Sequence, residues 1–104
     1  MGVETTTYTT TNNPSLFSTL TDALAAGKAI TAASYYSIPD GVPIVSSHAY
    51  TVVSTSIVSG TQYITVRNPW GFDGINSDSN PDDGFVTVTV DQFVAGFVCG
   101  SITV

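Results

Sequence analysis

The stretch that decides the fold runs His48-Ala49-Tyr50-Thr51-Val52-Val53-Ser54-Thr55-Ser56, then Ser59-Gly60-Thr61, then Gln62-Tyr63-Ile64-Thr65-Val66-Arg67. Its first part is rich in the β-branched and aromatic residues that suit a pleated strand. Ser59-Gly60-Thr61 reads as a hairpin turn, and the residues after it return with the alternation of a second strand. An antiparallel hairpin with His48 at the head of its first strand is therefore the starting point.

Working outward, residues 71–84 are rich in Gly, Asn, Asp and Ser and read as a long loop, of a length that usually either carries a function or is disordered. Residues 85–90 alternate strictly and read as a strand. Asp91 is placed to cap a short turn of helix through Phe93, Val94 and Phe97, and residues 98–104 read as a last strand. Upstream, Lys28 to Ser34 reads as a strand and Pro39-Asp40-Gly41 as a turn. Before these, Leu16, Phe17, Leu20 and Leu24 share one helical face. Asn13 as cap, Pro14 in the first turn and Gly27 as the left-handed stop frame a helix over 14–26. Residues 4–12 are threonine-rich and of low complexity. The expected fold class is α+β: an antiparallel sheet or open barrel with one N-terminal helix and a short second one. Residues 1–13 form a tail or edge strand, and 14–104 one subdomain.

Composition narrows the function. With 42% hydrophobic and 10% charged residues, the 104-residue chain is not of disordered type. Eight acidic residues against two basic ones, Lys28 and Arg67, give a net charge of −6. Phosphate backbones and anionic lipid both require clustered Lys and Arg, so nucleic acid and membrane surfaces are not expected partners. No apolar run reaches the roughly 18 residues of a membrane span. A single cysteine, Cys99, excludes an internal disulfide. Sparse charge and abundant Ser and Thr fit a secreted bacterial protein somewhat better than a cytoplasmic one.

The candidate chemistry lies in His48 and Asn68, twenty positions apart (68 − 48). Folding at the 59–61 turn sets the head of one strand beside the tail of the next. A thiolate nucleophile needs an imidazole to take its proton. The imidazole in turn needs a third group to fix its tautomer and orientation. A carboxamide does this without adding charge. Trp70, two residues beyond Asn68, is placed to cover that hydrogen bond and exclude water; its plainer role is an ordinary core or surface aromatic.

These segments resemble calpain-type cysteine peptidases, a branch of the papain-like (clan CA) peptidases. Calpains carry their histidine in Gly-His-Ala-Tyr-Ser/Thr-Val and their asparagine in Arg-Asn-Pro-Trp-Gly. The chain has Ser47-His48-Ala49-Tyr50-Thr51-Val52 and Arg67-Asn68-Pro69-Trp70-Gly71, with Ser47 where glycine is usual. Residues 20–31 look like the helix and strand that precede the histidine loop. Asp83-Gly84-Phe85-Val86 and Val90-Asp91-Gln92-Phe93 look like the closing run. The resemblance implies the C-terminal subdomain of the catalytic core, with His48 and Asn68 catalytic and Trp70 supporting. It implies peptide-bond hydrolysis by Cys-His-Asn on a protein or peptide substrate. It also implies a missing N-terminal subdomain that supplies the cysteine and the oxyanion-hole glutamine. Gln62 and Gln92 do not fall in the family's oxyanion motif. Cys99 follows the asparagine, enters a strand and has no helix N-terminus to lower its pKa, so it reads as a buried structural cysteine. The chain alone is expected to be inactive, as a piece of a longer enzyme rather than a natural half-domain.

Asp73, Asp78, Asp82 and Asp83 crowd the 71–84 loop. The bland reading is a solvated polar loop. Ca²⁺ takes six to eight oxygen ligands, and the resemblance implies a Ca²⁺ site here with Asp83 the best-aligned ligand. A non-catalytic module that binds peptides or a regulatory partner is the alternative to a peptidase half.

Overall fold

The computed structural model describes residues 5–10, 15–39, 41–42, 44–68 and 84–103. The hairpin at its centre is longer than the sequence pattern suggests, with β3 at Ala49–Val58 and β4 at Thr61–Arg67. Two residues join them, Ser59 at φ +52° and Gly60 at φ +80°. Positive φ at both positions matches a two-residue loop to the right-handed twist of the strands.

Around the hairpin stand β1 (Thr5–Thr9), β2 (Ile30–Ser34), β5 (Phe85–Thr89) and β6 (Phe97–Thr103), with helices α1 (Leu16–Ala25) and α2 (Val90–Gly96). The fold is α+β. Six strands form one antiparallel sheet in the order β1-β6-β2-β3-β4-β5. No pairing joins β1 to β5 among the described residues, so the sheet is open. β6 is inserted between β1 and β2, and the chain crosses from one edge of the sheet to reach it through α2.

Local chemistry sets the helix ends. Ser15 takes the N-cap position of α1, so the helix starts two residues later than expected; Asn13 and Pro14 lie outside the described residues. At the other end Gly27 sits at φ +75°. Its N–H donates to the Leu24 carbonyl at 3.0 Å, and the Lys28 N–H donates to Ala23 at 3.0 Å. That is the paired closure of a Schellman stop. For α2 the expectation needs correcting. Thr89, not Asp91, is the cap: its hydroxyl accepts from the Gln92 N–H and the Gln92 side chain accepts from the Thr89 N–H. This capping box satisfies two helix donors at once, whereas Asp91 lies inside the first turn.

One core unites the layers. Leu16, Leu20 and Ala23 of α1 and Phe93 of α2 are buried with Ile30, Tyr50, Val52, Ile64, Val66, Val86, Val88 and Phe97. Among the described residues no helix is long and apolar enough to cross a membrane.

The threonine-rich start is part of the sheet. Tyr8 lies opposite Gly100 on β6. Its ring crosses the bare glycine, and its hydroxyl donates to the Thr31 carbonyl on β2 at 2.6 Å. Burial pushes the Tyr8 phenol above its ordinary range, and charge on Cys99 adds to this. A raised acid pKa means the folded state holds its proton more tightly than the unfolded chain, whose tyrosine ionises near pH ~10. Stability from this group is complete below that pH and falls as pH rises through it. Urea unfolding from pH 8 to 11 is expected to show this alkaline loss. Tyr8→Phe is expected to flatten it, at a cost of about 1 kcal/mol at neutral pH for the lost hydrogen bond.

Candidate functional site

A two-residue turn at 59–60 pairs Val58 with Thr61 and sets the register of the strands: Ile57↔Gln62, Ser56↔Tyr63, Thr55↔Ile64, Ser54↔Thr65. In each pair the two numbers sum to 119. Continued unbroken, that odd sum would place Asn68 opposite Thr51 and on the reverse face from His48. The register instead shifts between Val52 and Ser54, to Val52↔Val66 and Thr51↔Arg67, a sum of 118. Val53 is the extra residue of a β-bulge. Beyond it, even-numbered residues of both strands share a face, and a one-residue slip turns every side chain over. Tyr50, Val52, Val66 and Asn68 are all buried on the core face. The bulge, more than the turn, brings His48 and Asn68 to one side of the sheet.

There the imidazole Nε2 of His48 lies 2.9 Å from Asn68 Oδ1. With an oxygen acceptor at Nε2, that nitrogen carries the hydrogen, and Nδ1 is the basic nitrogen of the neutral ring. Asn68 is 0% exposed, so its amide oxygen has lost water and requires a donor. Its backbone N–H donates to the Gly84 carbonyl at 2.8 Å, tying it to the start of β5.

The histidine loop is held from below. Ser34 Oγ, at the end of β2, accepts from the His48 N–H at 2.7 Å. It donates toward the Val45 carbonyl at 2.7 Å, with the His48 carbonyl at 3.0 Å. The Ser34 N–H donates to the His48 carbonyl and the Ser47 N–H to the Tyr35 carbonyl, each at 2.9 Å. The Tyr50 hydroxyl accepts from the Val45 N–H at 3.0 Å. Ser47 itself sits at φ +49°. The rings of His48 and Tyr50 meet edge to face at 5.2 Å, and Tyr50 meets Phe97 likewise at 5.3 Å. Phe97 continues to Phe93 at 4.7 Å. An aromatic chain thus runs from the imidazole to α2.

Sequence reasoning did not single out Ser34, because one serine at a strand end carries no motif. Tyr50 sits inside the quoted His48 segment, yet its hydroxyl contact appears only in three dimensions.

The other predicted residues divide as follows. Trp70 and the four aspartates Asp73, Asp78, Asp82 and Asp83 lie outside the described residues, as does the loop apart from Gly84. Cys99 is half-buried rather than buried. It pairs across the sheet with Ala33, which pairs with Ala49. That row faces away from the core, whereas His48 packs against core Tyr50. Gln62 pairs with Ile57 beside the turn, at the far end of the hairpin from His48, and Gln92 is occupied in the α2 capping box. Among the described residues no group of three or more His, Cys, Asp or Glu is placed to hold a metal ion. A cavity of about 320 Å³ lined by Thr6, Asp22, Lys28 and Ile102, and another of about 300 Å³ beside Ile57 and Asp91, have neither His48 nor Asn68 among their described lining residues. The chain matches no protein-family model and no curated protein.

Proposed function

We propose that this chain is the His/Asn-bearing half of a calpain-like cysteine endopeptidase core, completed by a cysteine-bearing subdomain from outside these residues. The observation that carries the reading is the 2.9 Å contact between His48 Nε2 and buried Asn68 Oδ1. A ring anchored in this way directs its basic Nδ1 to an incoming thiol, and the neutral carboxamide orients the ring without fixing charge on it. A second support is Ser47 at φ +49°. Left-handed backbone is where glycine is at ease, and glycine is usual at this position in the family that the motifs resemble. In the assembled site, sulfur would lose its proton to His48 and attack the scissile carbonyl, and the imidazolium would return the proton to the leaving amine.

The test is complementation. The chain alone, the cysteine- and glutamine-bearing segment alone, and the two mixed are incubated with a fluorogenic peptide and an active-site thiol label, with and without Ca²⁺. Turnover and labelling are expected only in the mixture, with the label on the added segment. Turnover by the chain alone that depends on Cys99 defeats the reading. Peptide binding by the mixture with no cleavage favours the non-catalytic module. The Ca²⁺ proposal, with Asp83, Asp82, Asp78 and Asp73 as ligands, rests on the resemblance alone. In the same samples a site raises the melting temperature by linkage, worth about 2.7 kcal/mol at a hundred times Kd.

A further inference from the structure

We infer that Ser34 is a positioning residue for His48, acting through the main chain of the histidine loop rather than through the ring. The inference deepens the peptidase reading and rests on it for its catalytic meaning, but the geometry stands without it. The Ser34 side chain is only 7% exposed, in the last position of β2. Its single hydroxyl joins three groups of one short loop: the His48 N–H, the Val45 carbonyl and the His48 carbonyl. A hydroxyl can accept and donate at once, so it closes residues 45–48 into a ring that no apolar side chain could close. With the Ser34 N–H and Tyr35 carbonyl also engaged, the end of strand β2 and the residue after it hold the strained Ser47 and His48 main chain. Fixing the main chain of His48 fixes where its Cβ points. The 2.9 Å contact with Asn68 then needs only the two side-chain torsions of His48 to be set. Without the hydroxyl, the His48 N–H loses its acceptor in a half-buried position, and the loop is free to leave the left-handed turn at Ser47.

His48 is the only histidine in the chain, so its ring nitrogens are unambiguous by NMR. In ¹⁵N-labelled full chain at pH 8.5, the wild type is expected to show one tautomer with hydrogen on Nε2. Its His48 backbone amide is expected to exchange at least about tenfold more slowly than in an unstructured peptide. Ser34→Ala is expected to mix the tautomers and return that amide to within about twofold of the unstructured rate, while the β4 and β5 amides stay protected. Ser34→Thr, which keeps the hydroxyl, is expected to restore both signals. A folded Ser34→Ala chain with wild-type ring signals overturns the inference. If Ser34→Ala does not fold, the wild-type amide decides: protection upholds the hydrogen bond to Ser34, and unprotected exchange overturns it. Failure of complementation with a locked ring sinks the peptidase reading and leaves this one standing.

Discussion

Gly100→Ala is expected to destabilise the chain severely, by roughly 4 kcal/mol or more. A Cβ at this position would overlap the Thr31 carbonyl oxygen and lie 2.5 Å from Tyr8 Oη and 2.7 Å from Tyr8 Cζ. The oxygen is backbone, held in the pairing of β2 with its neighbours, and cannot swing aside as a side-chain tip would. Relief requires β2 and β6 to separate, and those strands join the outer β1 to the rest of the sheet. Against a typical domain stability of about 5–15 kcal/mol, such a loss is a large share of the whole. Urea unfolding followed by circular dichroism measures it. Two controls isolate the cause. Tyr8→Ala added to Gly100→Ala is not expected to rescue folding, because the carbonyl overlap remains. Gly96→Ala, whose Cβ would meet a side-chain atom, Val42 Cγ1, at 3.0 Å rather than backbone, is expected to cost far less. A Gly100→Ala chain within about 1 kcal/mol of wild type would contradict the close approach of the Thr31 carbonyl to Gly100.

In the complemented two-part enzyme, His48→Ala is expected to lower kcat by about 10²–10⁴-fold, the contribution usual for a positioned general acid–base. Asn68→Ala is expected to cost about 10–100-fold, the scale seen when a group that orients a functional histidine is removed. The ring then keeps its chemistry but loses the acceptor that selects its tautomer. Because the two side chains act as a unit, the double substitution is expected to be no worse than His48→Ala alone. Steady-state rates on the fluorogenic peptide, with each variant shown to be folded, check all three. Independent, multiplying losses would mean that Asn68 acts somewhere other than on His48. An Asn68→Ala enzyme of wild-type rate would remove the pair from the mechanism altogether.

Much of the fold is legible in the residues because its signals are local. Leu16, Leu20 and Leu24 at helical spacing with Gly27 behind them specify α1. Ser59-Gly60 between alternating runs specifies the hairpin, and the alternation of 85–90 specifies β5. Less legible are features decided by partners distant in the chain. The threonine run could be tail or strand until Tyr8 finds Gly100. Thr89 outcompetes Asp91 as cap because Gln92 stands three residues later to answer it. The His48–Asn68 pair is legible as chemistry and as two ends of one hairpin, but not as two side chains on one face. A plain reading of the turn register puts them back to back. The signal that corrects it is the broken alternation at Val52-Val53, two adjacent apolar residues where one of them has no cross-strand mate. Ser34 has no local signal, because its value lies in a loop eleven to fourteen residues away.

The Val53 bulge also limits how the ribbon between the two functional groups can change over time. Lengthening or shortening both arms together moves residues in twos and preserves which side each one faces. Gaining or losing a single residue within either strand, at 49–58 or 61–67, reverses that parity for the residues beyond it, unless a second irregularity appears to cancel it. Insertions within the two strands should therefore be tolerated in even steps and rejected in odd ones.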